Sequence, residues 1–124
     1  MQVLNHVISK RTRRKIVEIL AATRSMRGLA EEIGVSPAAI HKYITGKTHP
    51  SDEVVKKMIE LADYEETRKI AEAILDDLST ALDEFILWAL EKDVLTNRDL
   101  DRLEASINKA RLVLRGRGRL KLLV

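Results

Sequence analysis

Apolar residues recur along this 124-residue chain at steps of three and four, the period of an amphipathic helix. Ser9 to Ala22 reads as a first long helix, with Ile16, Ile19 and Leu20 on one stripe. Ser25 has the character of an N-cap and opens a second helix, Met26 to Ile33. Gly34 supplies a turn in which positive φ is cheap for glycine alone. Ser36-Pro37 is then an N-cap followed by proline at the first helical position, starting a third helix that runs to Thr45 with Ile40 turned inward. Gly46 to Pro50 is a loop, and Ser51-Asp52-Glu53 opens a fourth helix with a cap and two acids at the positive end of the helix dipole. Val54, Val55, Met58, Ile59, Leu61 and Ala62 form its inner face. Residues 2–8 are mostly apolar and are expected to pack on this body.

The pattern then lengthens. Asp63-Tyr-Glu-Glu66 has the spacing of a capping box, and no glycine or proline follows until Gly116. One helix is expected to about Lys92, a turn at 93–96, and a last helix capped by Thr96 with Asp99 three residues on. The long helix carries Ile70, Ile74, Leu78, Leu82, Phe85 and Ala89 on one stripe and Ala71, Leu75, Ile86, Leu87 and Leu90 on another. Leu100, Leu103, Ile107, Ala110 and Leu114, at spacings of 3,4,3,4, form a narrow heptad seam on the last helix. A hairpin of two helices cannot bury two stripes on its longer arm. The leftover stripe, with Trp88 near its end, calls for a further partner: the N-terminal body, or a second hairpin in a four-helix dimer bundle, which is the expectation favoured here. The expected fold class is all-α, an N-terminal bundle of four or five helices plus a C-terminal antiparallel helical hairpin.

Composition narrows the setting. There is no cysteine, which excludes disulfides and thiolate metal sites and makes the cytoplasm the simplest home. No apolar run is long enough to span a membrane, and Met1 to Ile8 lacks the layout of a signal peptide. Few Asn and Gln beside a third of charged residues lean towards a thermophilic source. The net charge of +3 conceals a partition. Residues 1–50 carry nine Lys and Arg against three Asp and Glu, residues 51–110 eight against sixteen, and residues 111–124 five against none. A basic head on an acidic body suits a protein that presents one face to a polyanion and another to itself.

Leu29-Ala30, Ile33-Gly34-Val35-Ser36, Ile40, Tyr43, Gly46-Lys47 and Pro50-Ser51 fall, in order, on the pattern of the lambda repressor/Cro-like helix-turn-helix family. Residues 16–62 resemble that family, also called the xenobiotic-response-element family. The resemblance implies a compact helical domain that binds double-stranded DNA by placing helix 36–45 in the major groove. Two positions depart from it. Met26 and Pro37 stand where the family usually has glutamine, and neither can make the bidentate hydrogen bonds that read adenine. Ile44 replaces a glutamate that often pairs with an arginine on the first helix, and the facing residues here are Ile19-Leu20, so an apolar contact is expected instead of an ion pair.

The expected DNA-contacting set follows. Pro37, Ala38, His41, Lys42 and Thr45 form the outward face of the recognition helix, with Ser36 at its N-terminus, where free N–H groups favour phosphate. Lys42 falls at a family position that contacts bases and suits the acceptors of guanine, with a pure phosphate contact weighed equally. Ala38 offers only a methyl, which suits thymine. Arg27, Lys47 and Thr48 resemble the family's backbone clamps. Lys10, Arg11, Arg13, Arg14 and Lys15 crowd the first helix and form either a solvated face or a set of phosphate contacts, with Arg11 and Arg14 named among the DNA-binding residues. So few hydrogen-bonding groups on the reading face predict modest direct readout, helped by phosphate contacts and DNA shape.

No catalytic centre, cofactor site or metal site emerges from His6, His41, His49 or the carboxylate pairs Glu31-Glu32 and Asp76-Asp77, which sit on helices among solvent-facing neighbours, and no enzyme is expected. The expected organisation is a DNA-binding domain over 1–62, a dimerising hairpin over 63–114 and a basic tail over 115–124. In the tail, Arg115-Gly-Arg-Gly-Arg is either a second nucleic-acid element or a plain basic end, and Leu-Lys-Leu-Leu-Val can add a short strand or pack across a dimer. The function expected is a dimeric, sequence-selective transcriptional repressor. The alternatives are an antitoxin-like module binding a protein partner through 63–114, with autoregulatory DNA binding, and the targeting domain of a larger enzyme.

Overall fold

A computed structural model describes residues 2–123, all but the turns of which are helical. In chain order the elements are α1 (Gln2–Val7), α2 (Lys10–Ile33), α3 (Pro37–Ile44), α4 (Asp52–Leu61), α5 (Tyr64–Glu91) and α6 (Asn97–Leu123). They form two compact units, Met1–Leu82 and Asp83–Val124.

The first unit is built around Ile16, Val17, Leu20, Leu29, Ala30, Ile40, Val55 and Met58, all fully buried, with Ile8, Ile33 and Ile70 at the margin. The expected break between the first two helices lies inside α2. Ser25 leaves helical geometry at φ 66° and ψ 162°, and its hydroxyl accepts the Gly28 N–H at 3.1 Å, as an N-cap does. Gly34 ends α2 in the left-handed region at φ 83°, its N–H returning to Ala30 O at 2.9 Å. Tyr43, Ile19 and Ile44 are partly buried against the core.

The boundary expected after residue 62 is not where this unit ends. The capping box forms as expected, Asp63 and Glu66 each accepting the other's N–H, at 2.8 and 3.0 Å respectively. Glu66 also accepts from Thr23 and Arg24, Ile70 and Ala73 are buried, and Asp77 accepts the Ser9 N–H and hydroxyl, both at 2.9 Å. The opening turns of α5 therefore belong to the first unit. Asp77, expected to face solvent, instead caps the start of α2 from a distant helix.

In the second unit, α5 and α6 are joined by residues 92–96. Asp93 takes positive φ at 55°, Val94 donates to Ala89 O, and Thr96 and Asp99 exchange hydrogen bonds as the expected cap. Phe85 and Trp88 tilt against each other with centroids 6.3 Å apart, and Phe85 shares a shallow groove with Leu103. The expected end of the last helix at Leu114 is corrected: α6 continues through Gly116 and Gly118 to Leu123, with no strand there. The side chains of residues 119–123, and Val124, lie outside the described set.

Candidate nucleic-acid interface

Helix α3 is short, so its orientation depends on its ends. The Ser36 hydroxyl accepts the Ala39 N–H at 3.0 Å, and Pro37 takes the first position, where its missing N–H is no loss. Ile40 is the buried anchor. The rest follows from helical period. Ser36, Pro37, Ala38, His41, Lys42 and Thr45 are all exposed; Ala38, His41, Lys42 and Thr45 lie on the side away from Ile40, and Ser36 and Pro37 are exposed at the N-terminal end of the helix. The Thr45 hydroxyl donates to Lys42 O at 3.2 Å. Among the described residues of the first unit, nothing covers this face.

The helix exits into a loop whose shape is set from α2. Gly46 adopts φ 77°, and Lys47 and Thr48 both return their N–H groups to Lys42 O. The Arg14 guanidinium lies against the near end of this loop, where a Cβ added to Gly46 would come within 3.4 Å of it. Arg13 holds the far end. It is buried, and it donates to Pro50 O at 3.0 Å, to Ile8 O at 3.1 Å, to Asn5 O, and to the Asp52 carboxylate at 2.6 Å. Consecutive arginines thus bracket the loop that follows α3. Asp52 also meets His6 Nδ1 at 3.0 Å, an arrangement that sequence spacing did not bring together.

Arg13 is a correction to the basic cluster read from sequence, since it serves the interior and not a partner. The signal was present: Arg13 stands three, four and seven residues before Ile16, Val17 and Leu20, on the buried stripe. Arg14 and Arg11 are exposed. Arg14 also pairs with Glu18 at 3.3 Å. Arg11 lies beside Asp76 and Asp77 of α5, and its charge helps hold the Asp77 carboxyl below the usual range. Burial opposes that lowering, but hydrogen bonds from Ser9 and Thr12 outweigh it. Arg11 therefore neighbours acids of a distant helix, whereas Arg14 pairs with an acid one turn along its own helix. Arg27, Lys47 and Thr48 are exposed.

The start of the second segment of α2 is fixed by another buried ion pair. Arg24 bonds Glu66 and donates to Leu61 O at 3.2 Å. Burial works against the Glu66 charge. Hydrogen bonds from Arg24, the Asp63 N–H and Thr23 more than reverse it, bringing the pKa from its ordinary 4.5 to about 2. The Arg24 guanidinium is correspondingly raised, chiefly by its hydrogen bond to Glu66. This anchor sits immediately before Ser25, Met26 and Arg27. Among the described residues no cluster of three or more His, Asp or Glu side chains has the arrangement of a metal site, and no helix is long and apolar enough to cross a membrane.

Two crossed segments, a glycine turn, a proline-led second helix and an uncovered outer face define a helix-turn-helix DNA-binding domain. Residues 14–69 match the model of a helix-turn-helix family, which supports the lambda repressor/Cro-like resemblance and a DNA-binding regulator. No significant match was found to a curated protein or to a solved structure. The family match ends inside α5, close to the last residues that anchor that helix to the core.

Proposed function

We propose that the protein is a dimeric, sequence-selective repressor of the cytoplasm that inserts helix 36–45 into the major groove of duplex DNA. The observation that carries the reading is the uncovered outer face of α3, with Ala38, His41, Lys42 and Thr45 on one side of a helix pinned by Ile40. Lys42 reads a base, Ala38 contacts a thymine methyl, and His41 donates to a base or phosphate. Ser36 and Pro37 bring the N-terminus of α3 to the backbone, and Arg27, Arg14, Lys47 and Thr48 clamp phosphates on either side. Arg11 adds a further phosphate contact from the start of α2, beside Asp76 and Asp77.

Dimerisation is supported by the second unit. Among its described residues only Ala89 is buried, while Leu87, Trp88, Leu90 and Val94 are more than half exposed. The heptad seam on α6 opens along its length, from 39% exposure at Leu100 to 51% at Ile107 and 63% at Leu114. Two copies would bury this surface together and present two recognition helices about 34 Å apart on a palindromic site. The same apolar surface also favours one second reading, a module that binds a different protein through residues 63–114.

Selection from random duplexes, with solution mass on the same sample, tests both. The expected outcome is an enriched two-fold symmetric site and a dimer. A sticky monomer without enrichment would favour the protein-partner reading. Lys42→Ala is expected to cost about 1–3 kcal/mol on the selected site and to relax its sequence preference, checked by titration on cognate and random duplexes. An equal loss on every sequence would reassign Lys42 to a phosphate.

A further inference from the structure

We infer that the C-terminal half of α6 is a second DNA contact, a basic helical arm that holds phosphates flanking the site read by α3. The inference rests on the DNA-binding reading above and extends it to residues that reading leaves idle. After Glu104 the chain has no acid, yet it carries Lys109, Arg111, Arg115 and Arg117 and, beyond them in sequence, Arg119 and Lys121. The four described cations are exposed, and none is ion-paired among the described residues. Positive charge near a helix C-terminus suits the dipole, but Arg111 and Arg115 stand one turn apart on one face and repel each other. An anion between them would turn that repulsion into binding.

The glycines supply an independent observation. Neither Gly116 nor Gly118 has positive φ, and a Cβ built on either would meet nothing within 4 Å. Neither backbone conformation nor packing inside the chain requires glycine there, and each weakens the helix relative to alanine. What glycine provides is a bare helix surface that another backbone can approach. Gly118 lies seven residues after Arg111 and three after Arg115, so all three share a face. Two guanidinium forks beside bare helix form a seat for a phosphodiester backbone, which arginine engages in bidentate fashion. Four of the five cations from residue 111 onward are arginine. The rival occupant is the acidic surface of a second copy, since residues 51–110 carry sixteen Asp and Glu.

The full chain and its double variant Arg111→Gln/Arg115→Gln are titrated with the selected duplex, and with random duplex of equal length, across a salt series. Both side chains are exposed, so the fold is expected to survive, and circular dichroism verifies that. If the arm binds DNA, the slope of log K against log salt becomes shallower by about two, from about 0.9 per lost phosphate contact. Affinity then falls by the same factor on both duplexes, leaving the preference ratio intact. An unchanged slope overturns the arm. An unchanged slope together with a loss of dimer mass gives the residues to a second copy and overturns it too. Failure of the head reading has a different signature: wild-type protein with no preference for any duplex and no response of preference to Lys42→Ala.

Discussion

The two units of this chain are both helical, but they are held by different means. Met1–Leu82 surrounds a core of eight side chains with no exposed surface, and α2, α3, α4 and α5 each begin at a side-chain cap. Asp83–Val124 has long regular helices and a formed turn, yet Ala89 alone is buried among its described residues. Helix length and periodicity therefore say little about where burial is complete. Most helical stability comes from the packed face, and a helix with an open face relies on what it later meets.

Matched truncations sharpen the contrast. Leu20→Ala removes a side chain with no exposed surface and is expected to cost about 3–4 kcal/mol by denaturant titration. Leu114→Ala, at 63% exposure, should change unfolding by less than about 0.5 kcal/mol at low protein concentration. Its effect should appear in self-association, as weaker dimer at high concentration. Equal costs for the two at low concentration would mean that the second unit has a core of its own.

Arg13→Ala comes next, at about 3 kcal/mol, because it leaves three carbonyls and the Asp52 carboxylate without their donor. Its second consequence is specific to function. With Pro50 released, the loop after α3 loses its far anchor, so DNA affinity should fall further than the lost stability explains. Binding measured under conditions where the variant is fully folded separates the two effects. Undiminished affinity there would confine Arg13 to a structural role.

The locally encoded parts of this fold were legible. Ser36-Pro37, Gly34, Ser25 and the Asp63/Glu66 box each act through neighbours within four residues, so their spacing in the chain is their mechanism. The exposed face of α3 followed from Ile40 and helical period alone. Arg13 and Asp77 were misread because their partners lie far along the chain: Pro50 is 37 residues from Arg13, and Ser9 is 68 from Asp77. A charged residue on an apolar stripe was the available clue for Arg13. For Asp77 no local pattern marks a carboxylate that will cap another helix. The end of α6 was misplaced because Gly116 and Gly118 read as interruptions, whereas both take helical geometry. Which residues contact DNA is a further question, decided by the partner as much as by the fold.

Acid should act on the first unit through α5. The folded pKa of Glu66, about 2, lies below its ordinary 4.5. The stabilisation is therefore complete above about pH 4.5 and is lost as pH falls towards 2. Burial favours a sizeable effect, and the partial exposure of Arg24 reduces it, leaving about 1–2 kcal/mol. Asp77 is lowered too and adds in the same direction. Glu66→Gln should flatten the acid limb of a stability-against-pH curve. A limb of unchanged steepness would place the acid sensitivity elsewhere.

The smallest effect expected is a gain. Ser25 holds φ 66° and ψ 162°, a region that glycine occupies readily and other residues avoid, at a cost of about 1–3 kcal/mol. It is held there from both sides. Thr23 and Arg24 are tied to Glu66, and the Ser25 hydroxyl caps the segment that begins at Met26. Ser25→Gly relieves the strain. Against that stand a greater loss of chain entropy on folding, about 0.5–1 kcal/mol, and a weaker cap, a few tenths more. The balance favours glycine by about 0.5–1 kcal/mol, a rise of a few degrees in Tm. The gain belongs to the first unit, where buried neighbours impose the geometry; a similar glycine in α6 relieves nothing. A fall in Tm would mean that the hydroxyl cap outweighs the strain, and that Ser25 is held by its own side chain more than by the helices on either side of it.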